Sequence, residues 1–382
     1  MADLTHIRTD VVGSLLRPEA LKEAWRAHAR GALDDAGLRA AEDRAIREAV
    51  ALQESVGLDV LTDGEFRRLN FQDSFGHAVA GYEAGAQDIG WHEQRAEIAP
   101  PHTRLDHPEG EVAGPAVAQR RPVRERLRLV RNQPLEEYEF VSGIARIPAK
   151  VTLIGPDRIQ QRWDYARSAP VYDGLDAFVA DVVAIQRQIV QGLVDAGCPY
   201  VQIDAPSYTA YVDAPSRAQM TARGEDPDTN FARGLRADNA VIADFPGVTF
   251  GIHLCRGNES SRWHREGSYD AIAERLFNEL RHDRFLLEYD TERAGSFEPL
   301  RFVPKGKVVV LGLISTKVPE TPSVDELQRR IDEAARYVPL EQLAISPQCG
   351  FASSVVGNLI SADDQRRKLE AVVETARRVW GE

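Results

Sequence analysis

The chain has 382 residues, of which 43% are hydrophobic and 28% are charged, a normal balance for a globular protein. Its formal net charge is -12, and an acidic surface repels phosphate backbones, so we expect no nucleic-acid partner. The N-terminal segment MADLTHIRTD has no apolar core of a secretory signal, and no apolar run approaches the length that spans a bilayer. Three cysteines in a chain of this length do not make a disulfide framework. We therefore expect a cytoplasmic protein that does not contact membranes.

Short, nearly continuous apolar runs recur along the chain, and helical patterns lie between most of them. The runs span residues 6–13, 58–61, 150–154, 200–203, 248–254, 285–288, 308–313 and 343–345. Continuous apolar runs are typical of strands that are buried on both faces, as in parallel sheets. Eight such strands alternating with helices predict an α/β fold, specifically a (β/α)8 TIM barrel. A doubly wound open sheet is the structural alternative.

Helical spacing of apolar residues predicts helices over 175–196, 269–281, 324–337 and 361–380. Ser323 followed by Glu326 three residues later predicts a capping box at the start of the third of these helices. Residues 76–148, rich in Gly, Pro and His and then basic from 120 to 131, interrupt the strand–helix rhythm. We interpret the chain as one domain, 1–382, with 76–148 inserted after strand two as a lid over the barrel mouth. The alternative is a peripheral hairpin followed by a solvated basic helix.

The segment GIHLC carries the strongest chemical signal in the sequence. His253 and Cys255 lie two residues apart at the end of a predicted strand, so both side chains point to the same side. Glu288 ends the next predicted strand, and Cys349 follows the last one in the segment SPQCG. In a barrel these strand ends converge, and one nitrogen, two sulfurs and one carboxylate oxygen suit four-coordinate zinc. The alternative is that the cysteines are small buried apolar residues, as we interpret Cys198.

A second group of polar residues follows other predicted strands. Ser14 lies in VVGSLLRP, Glu65 in DVLTDGEFRR and Asp204 in VQIDAPSY. Carboxylates at the barrel mouth could hold an ammonium group through charge-assisted hydrogen bonds. The alternative is that these residues make ordinary turns between strands and helices.

Seven ordered motifs resemble those of the catalytic barrel of cobalamin-independent methionine synthase. They are VVGSLLRP, GLDVLTDGEFRR, KVTLIGP, YVQIDAP, GIHLC, LLEYD and SPQCG. The resemblance implies a zinc-dependent enzyme that transfers a methyl group to homocysteine in methionine biosynthesis. The implied zinc ligands are His253, Cys255, Glu288 and Cys349, and the implied pocket for the amino-acid thiol consists of Ser14, Glu65 and Asp204. The carboxylates would recognise the amino group of the substrate, and the serine motif would receive its carboxylate.

The sequence also departs from the family pattern. Ala205 replaces a glutamate of the family signature, and LISTKVP places Ile314 where the family has a catalytic histidine. The segment GPAVAQRRP has no match to the tryptophan that stacks on folate, and we find no counterpart of the N-terminal barrel. These departures weaken the case for a folate donor. Transfer from nitrogen needs an acid, and Lys317, Thr316 or a water molecule would then have to supply the proton.

Several functions therefore remain open. The first is S-methyl transfer to homocysteine from a folate or corrinoid donor, in which Glu288 is the ligand expected to yield its place to the substrate sulfur. The second is alkyl transfer to another thiol, as in epoxyalkane:coenzyme M transferases, with an epoxide as donor. A non-catalytic zinc- or thiol-binding protein and a decarboxylase of the uroporphyrinogen type are the remaining alternatives. We expect small-molecule partners in each case, and a homo-oligomer is one expectation for the assembly.

Overall fold

The structure is a computed structural model, and it describes residues 4–83, 104–105 and 122–381. Helices and strands alternate along most of this chain. The helices are α1 Glu19–Ala29, α2 Asp35–Val56, α3 Asp73–Gly76, α4 Gln133–Ser142, α5 Pro156–Gln161, α6 Tyr165–Ser168, α7 Leu175–Asp195, α8 Ala214–Ala222, α9 Pro227–Ile242, α10 Asp270–Glu279, α11 Val324–Ala334 and α12 Ala362–Trp380. The strands are β1 Val79–Tyr82, β2 Arg104–Leu105, β3 Val123–Leu129, β4 Lys150–Ile154, β5 Tyr200–Asp204, β6 Thr249–Leu254, β7 Arg262–Trp263, β8 Arg284–Glu288, β9 Val308–Ile314 and β10 Leu343–Pro347.

Six strands form one parallel sheet in the order β10-β9-β8-β6-β5-β4. Every residue of these strands is buried, which explains why the sequence shows continuous apolar runs rather than alternation. The predicted α/β class and six of the eight predicted strands are confirmed. The capping box of Ser323 and Glu326 at the start of α11 is also confirmed.

The two N-terminal strand predictions are only partly confirmed. Residues 6–13 and 58–61 each meet one edge of the sheet through a single parallel bridge, Thr9 to Ile345 and Leu61 to Ala149. The two segments contact each other through a side chain, because the Asp59 carboxylate accepts the backbone N–H of Thr9 at 2.8 Å. The backbone N–H of Thr9 thus bonds to a side chain instead of to the backbone of a neighbouring strand. Within the described residues, the parallel sheet therefore has six strands.

A buried charged cluster lies at the end of the sheet where the strands begin. The carboxylate of Asp10 accepts hydrogen bonds from Lys150 Nζ at 2.6 Å, Tyr200 Oη at 3.0 Å and Arg284 Nη2 at 3.1 Å. These three donors are the first residues of β4, β5 and β8. The cluster is fully buried, so removal of the one carboxylate would leave two cations without their shared counter-charge. Asp10 therefore ties the N-terminal segment to three strands.

Helix α7 corrects one expectation from the sequence. Its length and apolar composition are those of a helix that could cross a membrane, although we expected no such run. Its apolar face packs into the protein core. The buried residues are Phe178, Val179, Val182, Ile185, Gln186, Ile189, Val190 and Leu193. These residues of α7 thus belong to the core.

The described parts of the predicted insertion include a small antiparallel pair, β1 with β3. The basic run therefore forms a strand, and the alternative of a solvated basic helix was wrong for 123–129. Pairing with β1 decides this, together with a hydrogen bond from the Leu127 N–H to Tyr172 Oη at 2.8 Å. Arg126 on the exposed face pairs with Asp181 of α7 at 2.8 Å. About half of the predicted lid, residues 84–103 and 106–121, lies outside the described residues.

Candidate metal centre

Three predicted ligands converge where the strands of the sheet end. His253 and Cys255 lie at the end of β6, and Cys349 follows β10. The Sγ atom of Cys349 lies 3.7 Å from His253 Nε2 and 3.8 Å from Cys255 Sγ. The three residues are 3%, 4% and 5% exposed, respectively, and their ligand atoms lie within 4.8 Å of one another. Three of the four predicted donors are thus placed where one metal ion could bind.

Hydrogen bonds and charges within this cluster shift the protonation of its three members. His253 Nδ1 faces the backbone carbonyl of Leu286 at 3.3 Å, so a proton on Nδ1 leaves the lone pair of Nε2 directed at the sulfurs. A hydrogen bond from Cys349 and the charge of His253 hold the pKa of the Cys255 thiol well below its ordinary value, although burial opposes this. Burial opposes protonation of His253, but the negative charges of Cys255, Asp204 and Glu288 together raise the pKa of the imidazole. The cluster therefore favours a thiolate at Cys255, the form of cysteine that binds metals, while the same hydrogen bond raises the pKa of the Cys349 thiol.

Glu288, the fourth predicted ligand, lies at the end of β8 but is engaged elsewhere. One carboxylate oxygen accepts a hydrogen bond from Arg293 Nε at 2.7 Å, and the other accepts the backbone N–H of Arg256. Burial would raise the pKa of Glu288, but the positive charges of Arg293, Lys317 and Arg256 lower it to about 2. Glu288 is thus a buried carboxylate close to the cluster, and its role as a metal ligand stays a prediction.

Ser14, Glu65 and Asp204 line one pocket together with His253 and Cys255. One oxygen of Glu65 accepts a hydrogen bond from Thr152 Oγ1 at 2.7 Å, and its Oε2 has no partner in the part of the chain that the structure describes. Asp204 Oδ1 accepts a hydrogen bond from Gln202 Nε2 at 2.7 Å. The structure therefore brings the second predicted group to the metal-ligand cluster.

Two glycines make this arrangement possible through close approach. A Cβ at Gly13 would lie 2.8 Å from Glu65 Oε1, and a Cβ at Gly350 would lie 2.1 Å from Ser14 Oγ. Glu65 itself has a φ of 59°, a left-handed conformation that a glutamate adopts only where its surroundings impose it. The motifs VVGS and QCGF thus contain glycine because a Cβ atom at these positions would overlap with side chains of the pocket.

The two pocket carboxylates influence each other. Burial raises the pKa of Asp204 to about 7, the charge of His253 opposes this rise, and the charge of Glu65 adds to it. Two carboxylates that share a buried pocket repel each other when both are ionised. A cation bound between Glu65 and Asp204 would relieve this repulsion.

Ile314 is the last residue of β9, Lys317 lies three residues beyond it, and both are buried. Lys317 Nζ donates a hydrogen bond to Gln348 Oε1, next to Cys349. The charge of Lys317 acts on Glu288, but Lys317 is not among the residues that line the pocket. Ile314 pairs with Pro347 in the sheet. The role of Lys317 as a proton donor stays a prediction.

The family described as cobalamin-independent synthase, catalytic domain, matches residues 7–103 and 136–377. The chain belongs to this methionine synthase family. The match thus includes all four predicted metal ligands, and the unmatched stretch between its two parts falls inside the predicted insertion.

Individual relatives of the methionine synthase family cover nearly the whole chain. The uncharacterized protein YxjH of Bacillus subtilis is 35% identical over 378 residues, which cover 98% of this chain and 94% of that protein. Methionine synthase of Pyrococcus abyssi is 23% identical over 352 residues, which cover 91% of this chain and 87% of that protein. The structure of a candidate vitamin-B12-independent methionine synthase from Listeria monocytogenes has a TM-score of 0.74 at 26% identity. The match covers 100% of this chain and 99% of that one. The chain is thus a methyltransferase-type enzyme of a family that acts on small molecules.

The pocket of this protein also contains residues that the sequence motifs did not indicate. Arg158, Arg162 and Arg265 line the same pocket as His253 and Cys255. The first two follow β4, and the third lies in the segment after β6. The rule that residues beyond parallel strand ends face the active site could have found them, but we applied it only to metal ligands and carboxylates.

Proposed function

We propose that this protein is a zinc-dependent S-methyltransferase whose acceptor is homocysteine. The observation that carries this proposal is the convergence of His253, Cys255 and Cys349 beside a pocket that contains two buried carboxylates. One imidazole and two thiolates form a ligand set that zinc prefers. Three protein ligands with a further position for the substrate are the usual composition of a catalytic zinc site.

Zinc bound at this cluster would deprotonate a substrate thiol at neutral pH and hold its sulfur for attack on an electrophilic carbon. His253 is oriented for ligation by the backbone carbonyl of Leu286. Glu288 is the proposed fourth protein ligand. Its carboxylate would have to leave Arg293 to reach the cluster, which makes it the ligand best suited to yield its place.

The pocket carboxylates supply the recognition of an amino acid. Glu65 Oε2 is buried with no hydrogen-bond partner among the described residues, and Asp204 lines the same pocket. An ammonium group between them would satisfy the free acceptor and reduce the repulsion between the two carboxylates. The hydroxyl of Ser14, on the same wall, can donate to the carboxylate of the amino acid.

A second candidate function is alkyl transfer to another thiol, and one residue favours it. Ile314 occupies the position of the family histidine and has no proton to donate to a leaving amine. An epoxide donor avoids a folate site, although its oxygen must be protonated during ring opening. Lys317 is the proposed proton donor in both cases, and a folate, corrinoid or epoxide donor distinguishes them.

We further propose that the chain is a single domain that closes as an eight-stranded barrel, with residues 76–148 as its lid. The bridges of Thr9 and Leu61 to the two edges of the sheet support closure. The hydrogen bonds of Asp10 to three strands also support it, because they place the first segment across the strand starts. A cytoplasmic location and a homo-oligomer remain predictions.

The test uses cobalt-substituted protein, in which sulfur coordination changes the visible spectrum. We expect homocysteine to bind through its sulfur and to yield methionine, detected by mass spectrometry, with methyl-folate or methyl-corrinoid as donor, and to give no alkylated product with an epoxide. A Glu65→Gln variant should bind homocysteine roughly tenfold more weakly. It should bind mercaptobutanoate, the analogue without the amino group, as wild type does.

Two outcomes would contradict the proposal. Equal affinity of the wild-type protein for homocysteine and mercaptobutanoate would exclude Glu65 and Asp204 as an ammonium site. Coordination of coenzyme M but not of homocysteine, with an alkylated product from an epoxide, would favour the second candidate function.

A further inference from the structure

A buried ion pair lies next to the wall of the pocket that contains the proposed homocysteine site. Arg68 and Glu137 are 1% and 2% exposed, and Arg68 Nε donates to both carboxylate oxygens of Glu137 at 3.0 Å. Neither residue is among those that line the pocket, whereas Glu65 is. Glu137 belongs to α4, inside the predicted insertion 76–148. A buried ion pair by itself is weak evidence of a stabilising role, so its contacts with the pocket wall are the informative ones.

Thr152 of β4 connects this ion pair to Glu65. Arg68 Nη1 donates a hydrogen bond to Thr152 Oγ1 at 2.9 Å, and Arg68 Nη2 donates to the backbone carbonyl of Thr152 at 3.0 Å. The threonine hydroxyl has a single proton, and it donates this proton to Glu65 Oε1 at 2.7 Å. Because a guanidinium can only donate, the direction of both hydrogen bonds is fixed. Glu65 Oε1 is therefore occupied by the protein itself.

The other oxygen of Glu65 remains available to a ligand. Glu65 Oε2 is buried and has no hydrogen-bond partner among the described residues. A Cβ at Gly13 would lie 2.8 Å from both Glu65 Oε1 and Thr152 Cγ2, so the chain packs closely around the contact between these two side chains. The carboxylate thus has little room to turn, and Oε2 is its remaining acceptor for an ammonium group.

Arg68 is also a cation that could neutralise Glu65. Its Nη1 lies 3.8 Å from Glu65 Oε1, and the charges of Glu137, Glu65 and Asp63 all act on it. Within the described residues, Glu137 is the only one of these three carboxylates that forms hydrogen bonds with Arg68. Asp63 instead accepts the backbone N–H of Glu65 at 2.8 Å. Because Glu137 binds the guanidinium in a bidentate manner, Glu65 keeps its negative charge for a ligand.

Arg17 is a second arginine whose charge acts on Glu65, and it is shared with two further carboxylates. It donates to the backbone carbonyls of Glu65, Arg68, Ala352 and Ser354. The main chain therefore fixes Arg17, whereas the position of Arg68 depends on the side chains of Glu137 and Thr152. If either side chain lost its acceptor, Glu65 would be the carboxylate within ion-pair distance of Arg68.

We propose that Glu137 and Thr152 are positioning residues that hold Arg68 away from the carboxylate of Glu65 and so make the pocket selective for thiols that carry an amino group. The inference rests on the proposed function, because it takes Glu65 as part of the ammonium site. Without Glu137 or the Thr152 hydroxyl, Arg68 would pair with Glu65 and replace the cation of the substrate. Selectivity is a difference of affinities, so the thiol with an amino group should lose affinity and the thiol without one should not.

The test measures the ratio of the affinities for homocysteine and mercaptobutanoate in cobalt-substituted protein. Both thiols bind the same metal, so a loosened metal site changes both affinities, whereas a neutralised Glu65 changes only the first. Glu137→Gln removes a charge at nearly constant volume, and Thr152→Val removes a hydroxyl in the same way. Each should reduce the ratio by roughly tenfold or more. Thr152→Ser, which keeps the hydroxyl, and Glu139→Gln, an exposed control on α4, should keep the wild-type ratio.

If Glu137→Gln does not fold, because a buried ion pair is broken, Thr152→Val carries the test. A wild-type ratio in either folded variant would overturn the inference and leave the proposed function intact. Equal affinity of the wild type for the two thiols would overturn the inference together with the ammonium site.

A second pair of thiols, cysteamine and ethanethiol, also differs by one amino group. A wild type that prefers cysteamine but binds no homocysteine, with the preference lost in Thr152→Val, would support the inference and contradict only the proposed thiol.

Discussion

Substitution of Cys349 by serine tests the metal centre most directly. The Cys349 sulfur lies within 4 Å of both His253 Nε2 and Cys255 Sγ, at 3.7 and 3.8 Å, and the residue is buried. A serine hydroxyl keeps the volume nearly constant but is a much weaker ligand for zinc than a thiolate. Because the site is buried, we expect little compensation from solvent at the lost position.

The magnitude follows from the number of donors. Structural zinc sites with four ligands contribute about 10–16 kcal/mol, so one ligand is worth roughly 3–4 kcal/mol. Loss of Cys349 should therefore weaken zinc binding by roughly a hundredfold to a thousandfold. The matched control is Cys198→Ser, because Cys198 is also buried but bonds to the backbone carbonyl of Tyr200 at 3.3 Å. Cys198 is not one of the three clustered donors.

The assay is competition for zinc against a chromogenic chelator, together with metal content by mass spectrometry and circular dichroism to confirm folding. Cys198→Ser should retain zinc affinity close to that of the wild type. A folded Cys349→Ser protein that binds zinc within a few-fold of the wild type would refute the reasoning, because Cys349 would then not be a ligand.

Three further predictions concern the rest of the fold and the metal. Asp10→Asn should destabilise the protein by about 3–5 kcal/mol in urea unfolding, because Lys150 and Arg284 lose their shared buried counter-charge; a loss no larger than that of the exposed control Asp332→Asn would contradict this. His282 is buried with its pKa lowered from 6.5 to about 3, so the unfolded state binds the proton first and stability falls as the pH drops below 6.5. Between pH 6.5 and about pH 5, wild type should lose about 2 kcal/mol more stability than His282→Leu, and equal losses in urea unfolding would exclude His282 as the cause. Removal of zinc with a chelator should lower the melting temperature by several degrees, since a ligand at a hundredfold its Kd stabilises by roughly 3 kcal/mol; an unchanged calorimetric transition would argue against a zinc site in the folded core.

Local patterns explain which predictions from the sequence were confirmed. The alternation of side chains along a strand depends only on neighbouring residues, so GIHLC correctly placed His253 and Cys255 on one side. The six strands of the sheet have continuous apolar runs because both of their faces are buried. The capping box of Ser323 and Glu326 spans only four residues, and it was also correct.

Long-range competition explains what the sequence did not reveal. The basic run at 123–129 became a strand because β1, distant in sequence, supplied the pairing partner. Glu288 lies at the expected strand end, but its oxygens bond to the backbone of Arg256, which is 32 residues away in sequence, and to the nearby side chain of Arg293. Neither outcome can be read from local periodicity, since each depends on which of several buried partners lies nearest in space.

The sequence by itself determined the α/β class, most of the strands and the chemical types of the candidate metal ligands, because these follow from apolar periodicity and from residue identity. Only the tertiary structure decided that three donors meet within 4.8 Å, that Glu65 keeps a buried oxygen without a partner, and that three arginines share the same pocket. The physical reason is that burial and charge pairing are set by contacts between segments far apart in the chain, where a few ångströms decide which partner a buried group binds.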